Sequence, residues 1–382
     1  MITVTDKKLC TGCGACAAVC SLNAITLDED HDGFNIPTVD TSLCVNCGKC
    51  DKVCPMLKDD HGIPEENKKY ETRFFAGQLK DKDSLSKVSS GGAFWAFAEA
   101  VIKRGGAVYG AVQERVDQVY HSRAVTLEEA EKMCRSKYFQ STAHVCFKDV
   151  ENDLKNGKTV LFSGTGCQIA AIISYLGKSY DGLYTCDVVC HGVPSKKAWR
   201  SYRAEAEAKK GKKITELVFR DKSQGWSNNQ YKTTYDDGSV EYERSSTHPF
   251  HRGYLQGLFY RDSCGVCPYA SLPRVSDVTL ADYWKYRGRL AEGNMGTSLI
   301  ATNTSKGEAL LEEAAEYLEY DAASREDALS SCRHMDSCPK EAPRRRAFLK
   351  ALDKKGYHKA IKSISHGTLI KRIIKRIKRM KG

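Results

Sequence analysis

The chain has 382 residues, 41% of them hydrophobic and 28% charged, which gives room for about two or three domains around a sizeable core. No run approaches the roughly 20 apolar residues that a membrane span needs. The formal charge of +11 does not mark a nucleic-acid binder, because seven Lys and Arg and no acid lie between Leu369 and Gly382, which leaves +4 for the rest. Seventeen cysteines are the outstanding feature of the composition. No signal-peptide pattern opens the chain, so the expected location is cytoplasmic and reducing, where clustered thiols bind metal and do not pair as disulfides.

In chain order, the first element is a cysteine loop. Cys10, Cys13, Cys16 and Cys20 are spaced C-x2-C-x2-C-x3-C, and Cys44, Cys47, Cys50 and Cys54 repeat the spacing ahead of Pro55. Three thiolates on one tight loop can hold three corners of a 4Fe-4S cube while the fourth reaches the other cube. Cys10, Cys13, Cys16 and Cys54 are therefore expected to bind one cluster, and Cys44, Cys47, Cys50 and Cys20 a second, as in a two-cluster ferredoxin, over residues 1–57. Tetrahedral zinc does not ask for the tripled x2 spacing. Gly12, Gly14 and Gly48 suit loops that need positive φ and close N–H approach to sulfur. Ile25–Leu27 and Phe34–Val39 predict a hairpin around Asp32-Gly33, and residues 58–70 read as a polar linker.

Residues 71–335 read as the larger domain, in which strands and helices alternate from Phe74 onward. The periodicity predicts a helix over Ala93–Lys103, stopped by Gly105-Gly106, and a strand over Ala107–Val112. Thr126-x-x-Glu129 predicts a capping box. Thr159–Phe162 and Leu183–Val189 read as strands around a helix at Gln168–Leu176, and Ser195–Lys210 as a further helix. The pattern then turns to β at Ile214–Arg220, Gln230–Tyr235 and Val240–Arg244, with Val278–Tyr283 and Ser298–Thr302 as later strands. The fold class is α+β: a small ferredoxin-type domain followed by a larger mixed α/β domain. G-x-G-x-x-G is absent, so no Rossmann sheet is implied.

Clusters move single electrons whereas most organic substrates take two, and a flavin commonly joins the two regimes. Ser89-Ser90-Gly91-Gly92 opens the Ala93 helix and offers small residues, hydroxyls and helix-start N–H groups to a pyrophosphate; an ordinary turn has the same composition. Gly164-Thr165-Gly166-Cys167 forms a second strand-to-helix turn, in which the helix dipole favours a Cys167 thiolate. Cys190 follows a strand, and Cys264-x2-Cys267 has ligand spacing. Cys167, Cys190, Cys264 and Cys267 could close a third 4Fe-4S site, although an isolated CxxC also serves zinc or a redox dithiol. His191 is the titratable neighbour of that site and the candidate proton donor to substrate.

The segments Ser89–Gly92, Ser136–Ser141, Gly164–Gln168, Cys190–Ser195, Cys264–Pro268 and Ser276–Trp284 together resemble, in order, the beta subunit of coenzyme F420 hydrogenase/dehydrogenase, over roughly residues 1 to 310. The resemblance implies a FAD and a third 4Fe-4S cluster in the larger domain. It nominates Ser89, Ser90, Gly91, Gly92, Ser136, Lys137, Tyr138, Gly164 and Thr165 as FAD contacts, with Lys137 as a point charge and Tyr138 as a packing ring. Asp277 and Asp282 are read as backbone supports.

The resulting expectation is an iron–sulfur flavoprotein oxidoreductase. Electrons would pass between a low-potential donor, such as ferredoxin or a partner subunit, the clusters and FAD, for two-electron chemistry on an organic substrate or cofactor. The alternative is a non-catalytic electron-transfer subunit of a larger complex. Nucleic acid is not an expected partner. Residues 336–382 read as a basic C-terminal segment, in which an amphipathic helix over 368–381 would lie on an anionic membrane surface, making the protein peripheral at the inner membrane face.

Overall fold

The computed structural model describes residues 2, 3, 6, 8–340 and 342–364. Its strands are β1 (Ile25–Glu29), β2 (Asn35–Val39), β3 (Arg73–Leu79), β4 (Ala107–Arg115), β5 (Gln118–Ala124), β6 (Val160–Thr165), β7 (Leu183–Val188), β8 (Ile214–Asp221), β9 (Gln230–Tyr235), β10 (Val240–Arg244), β11 (Val278–Asp282), β12 (Ser298–Thr302) and β13 (Leu318–Ala323). They form three sheets: the hairpin β1-β2, the antiparallel β10-β9-β8, and an eight-stranded sheet in the order β13-β3-β12-β11-β7-β6-β4-β5.

The centre of the large sheet, β11-β7-β6-β4, is parallel, and its flanks are antiparallel. Its inner strands are apolar on both faces, as a strand covered on each side must be. Val108 and Leu161 point to one face, where Phe97 and Val101 of the helix Ala93–Lys103 cover them with Leu310 and Leu311. Tyr109, Val160 and Phe162 point to the other, beneath Phe147, Val150, Ile169 and Ile172 of the helices Phe147–Lys155 and Gly166–Leu176. Burial of each such side chain contributes about 1.5–3 kcal/mol. In an open α/β sheet of this kind, ligands meet the carboxyl ends of the parallel strands.

The cysteine-rich unit is fused to this body. Ala15, Val53 and Met56 enter the same core as Ile169 and Ile172. A Cβ on Gly14 would meet the His144 ring at 2.3 Å, and one on Gly33 would meet Lys197 N at 2.4 Å. Gly12, Gly14 and Gly48 all have positive φ, as the loops require, but only Gly48 has open space around it. Close docking, in addition to loop curvature, selects glycine at Gly12 and Gly14.

Several expectations change. Residues 58–70 do not form a loose linker: Lys58 Nζ donates to Ser174 Oγ at 3.0 Å, and the buried Asn67 on the helix Glu65–Lys69 donates to Ser276 O at 2.9 Å. β6 runs on to Thr165 because pairing with β7 continues through Gly164–Asp187 and Thr165–Val188, and this register outweighs the low strand propensity of Ser163-Gly164. The basic C-terminal segment is partly integral, since Phe348, Leu349 and Leu352 of the helix Arg345–Lys355 join an aromatic core with Trp199, Phe219, Tyr231 and Phe250. The amphipathic stretch 368–381 lies outside the described residues. Among the described residues no helix is long and apolar enough to cross a membrane.

Candidate functional site

Four thiols meet where β6, β7 and the Cys264–Cys267 turn converge. Cys167 is the second residue of the helix Gly166–Leu176, Cys190 lies just beyond β7, and Cys264 and Cys267 flank a short turn. Each of the six pairs among these thiols is close enough for mutual charge repulsion. Burial, reinforced by that repulsion, pushes Cys167 and Cys264 up to about 11 and Cys190 up to about 12. The helix dipole is thus outweighed at Cys167, contrary to the expected thiolate. A cluster at the site would take the thiolates and expel these protons. Backbone N–H groups already point at sulfur: Gly192 N at Cys190 Sγ and Val193 N at Cys264 Sγ, both at 3.3 Å. The donor set therefore suits an iron–sulfur cluster.

Cys10, Cys13, Cys16 and Cys54 likewise interact in all six pairs, the combination that crossed ligation requires. Cys13 also faces Cys167, and Tyr269 lies among Cys13, Cys54, Cys167 and Cys267, its hydroxyl donating to His61 O at 2.9 Å. The first and third thiol sets are therefore neighbours. Of the remaining set, Cys47 is exposed, Cys20 and Cys44 are half-buried, and Cys50 is buried. That set contains the one exposed thiol among the twelve nominated ligands.

Beside the third set, a cavity of about 410 Å³ opens above the carboxyl ends of the parallel strands. Cys167, Cys190 and His191 line it, together with Ser89, Ser90, Gly92, Ser136, Lys137, Tyr138, Gly164 and Thr165. Eight of the nine nominated FAD contacts thus share one space with two thiols of the third set. Gly91 is the exception. Its N–H donates to Ser298 Oγ at 3.0 Å, and a Cβ there would meet Gly77 O at 2.1 Å, so sheet packing accounts for this glycine.

The cavity fits a dinucleotide in kind. Gly92, at φ 80°, precedes the helix Ala93–Lys103 and brings no side-chain cap; Ala93 N donates to Ser298 Oγ at 3.4 Å, and Phe94 and Trp95 of the first turn line the space, where the helix dipole favours an anion. Ser89 and Ser136 hydroxyls stand 3.5 Å apart. Lys137 is held inward, donating to Met133 O and Cys134 O at 2.9 and 2.7 Å, and burial lowers it to about 8. Tyr138 packs edge-on to Phe219 and His251. Gln168 braces the opposite wall, accepting from Thr165 N at 3.0 Å and donating to Ser141 Oγ at 2.9 Å.

Sequence reasoning missed several residues of the same cavity. Asp282 does more than support backbone: it pairs with Arg220 and accepts from Trp226 Nε1 at 3.1 Å. Trp226 and Trp284 stack at 4.2 Å, with the Arg220 guanidinium 5.2 Å from the Trp284 ring. His121, held down to about 4 by burial, stacks on Phe162 and meets Ser163 O at 2.8 Å. His191 is held at about 4 by burial and then by His334, whose ring lies 4.5 Å away, and is neutral near pH 7. Trp284, Asp282 and the already nominated His191 lay in segments that carried the resemblance; nothing in the local spacing marked Arg220 or His121.

This fold and thiol array define an iron–sulfur redox protein. Residues 9–57 match the 4Fe-4S dicluster domain, and residues 157–326 match the C-terminal part of the beta subunit of coenzyme F420 hydrogenase/dehydrogenase. The larger domain is thus similar over these residues to that beta-subunit family, with a match to a 4Fe-4S cluster-binding domain ahead of it. No curated protein matches. Among solved structures, a chain of the F420-reducing NiFe hydrogenase complex of Methanosarcina barkeri is similar at 17% identity and a TM-score of 0.46, covering 80% of this chain and 94% of that one.

Proposed function

We propose that this protein is an iron–sulfur flavoprotein oxidoreductase with three 4Fe-4S sites and one FAD. The observation that carries the reading is the shared cavity: Cys167 and Cys190 open onto the same space as eight nominated flavin contacts. When bound, FAD would supply exchange between one-electron and two-electron steps. The chain's own residues prepare that space. The Ala93 helix start and the Ser89 and Ser136 hydroxyls offer donors to a pyrophosphate, while Lys137 and Arg220 supply positive charge. Tyr138 and Trp284 present apolar rings to a planar group. His191, whose Nε2 has no hydrogen-bond partner among the described residues, stands at the boundary between thiols and cavity, where a proton would accompany an electron pair.

Exposure of Cys47 and the contact of Cys13 with Cys167 support a path from outside inward. The exposed set around Cys47 faces an outside one-electron partner, either a low-potential carrier such as ferredoxin or a partner subunit. The Cys10 set and then the Cys167 set lead inward. A second reading, a relay subunit whose partner performs the chemistry, is favoured by the similarity of residues 157–326 to a beta-subunit family.

Protein purified without oxygen should contain about twelve irons, four for each of three cubes, and one FAD. The double substitution Cys264→Ser and Cys267→Ser should reduce the iron to about eight. Eight irons in the parent would remove the third site, and full clusters without flavin would favour the relay.

A further inference from the structure

Arg261 is a buried cation without an anionic partner among the described residues. It is 3% exposed. Its guanidinium reaches into the first cysteine loop: Nη1 donates to Cys10 O at 3.3 Å, while Nη2 donates to Asn35 O at 2.7 Å and to Gln140 Oε1 at 2.9 Å. Nε is buried with no hydrogen-bond partner among the described residues. The adjacent acid, Asp262, pairs with Arg345. Phe34 covers the guanidinium at 5.3 Å.

The same residue is wired to the third thiol set through its backbone. Arg261 N donates to Val193 O at 3.0 Å, and Cys264 N donates to Arg261 O at 3.1 Å. Its charge acts on Cys167 and Cys264, favouring their thiolates. The ferredoxin loop makes room for it, since a Cβ on Gly12 would lie 2.7 Å from Arg261 Nη2. Gln140 completes the arrangement by donating to Thr11 O at 2.9 Å and Gly12 O at 3.1 Å.

Leaving a lone guanidinium in a protein interior is costly unless an anion meets it. Every backbone carbonyl and amide around Arg261 is neutral, so the compensating charge must come from elsewhere. A 4Fe-4S cube with four thiolates is an anion that gains one further negative charge on reduction, and nearby charge is one of the quantities that set its potential. We propose that Arg261 is the counter-charge shared by the first and third cluster sites, and that it raises the reduction potential of the third cluster. The proposal rests on the three-cluster reading above.

The test is a potentiometric titration with dithionite, followed by electron paramagnetic resonance, on the full chain carrying its clusters. Dithionite supplies one electron to each cluster, and no bond to iron forms or breaks. The third cluster's signal is assigned as the one absent from the Cys264→Ser, Cys267→Ser double variant. Arg261→Met, with wild-type iron content, should shift that signal to more negative potential by about tenfold in the reduced-to-oxidised ratio, which is about 59 mV for one electron. Arg261→Lys, which keeps the charge, should recover most of the shift.

An unchanged potential in Arg261→Met with all clusters present would overturn the proposal. Loss of iron from both variants would also overturn it, making Arg261 a packing clamp. A parent protein with eight irons would instead remove the third site itself, so failure of the function reading is distinguishable from failure of this one.

Discussion

Lys222 shows how much one side chain can organise. Its ammonium donates to Ser90 O at 2.6 Å, Met295 O at 3.0 Å and Leu85 O at 3.1 Å, tying the end of β8 to the turn that opens the Ala93 helix. It touches the nominated phosphate cradle only through the backbone and is therefore a positioning residue. Burial lowers it to about 8. A hydrogen bond to a charged group is worth about 1.5–3 kcal/mol, and about 1.4 kcal/mol is a factor of ten. Lys222→Met should accordingly weaken FAD retention by about tenfold or more, measured as flavin absorbance per protein after gel filtration, with the N-terminal iron unchanged. Unaltered flavin would show that the turn holds its shape without this clamp.

The elements divide by how local their determinants are. The helix Ala93–Lys103 and the turn between β9 and β10 are legible because apolar period, Gly105-Gly106 and Asp236-Asp237-Gly238 act within a few residues. The Thr126–Glu129 capping box is equally local, with Glu129 Oε2 accepting from Thr126 N at 3.2 Å. β5 and β13 are edge strands whose sequences alternate weakly, and their pairing with β4 and β3 is decided by the sheet. In the site, the cysteines and small residues are legible from spacing and resemblance. Arg220, Lys222 and Arg261 are not, because each works through partners far off in the chain, as in Arg220 with Asp282 and Arg261 with Cys10.

The aromatic element built around β9 adds a pH dependence. His248 stacks on Tyr231 at 3.9 Å and bonds Tyr202 through Nε2 at 3.0 Å, while His251 Nδ1 meets the Tyr231 hydroxyl at 2.9 Å. Burial holds His248 down to about 3 and His251 to about 4, from an ordinary 6.5. Below pH 6.5 the unfolded chain therefore takes up protons that the native chain refuses. Stability is full above that pH and falls as pH drops toward about 4. His248→Gln should flatten the decline of the thermal midpoint between about pH 6.5 and 5. Parallel curves for parent and variant would mean that His248 titrates alike in both states.

At the scale of the whole molecule, the two parts behave as one body. Ala15, Val53 and Met56 share a core with Ile169, and the segment after Cys54 is strapped to Ser174 and Ser276. Many redox proteins carry an electron module on a tether that swings between docking positions, so that turnover waits on diffusion. Here the glycine contacts at His144 and Lys197 leave no such stroke. Flash reduction of the outer cluster should then give an internal transfer rate that does not slow in glycerol, whereas a swinging carrier would slow in proportion to viscosity. On the proposed function, such a protein would keep time by tunnelling distance, and regulation of its pace would act at the exposed end, on the encounter with its partner, or at the cavity, on the arrival of substrate.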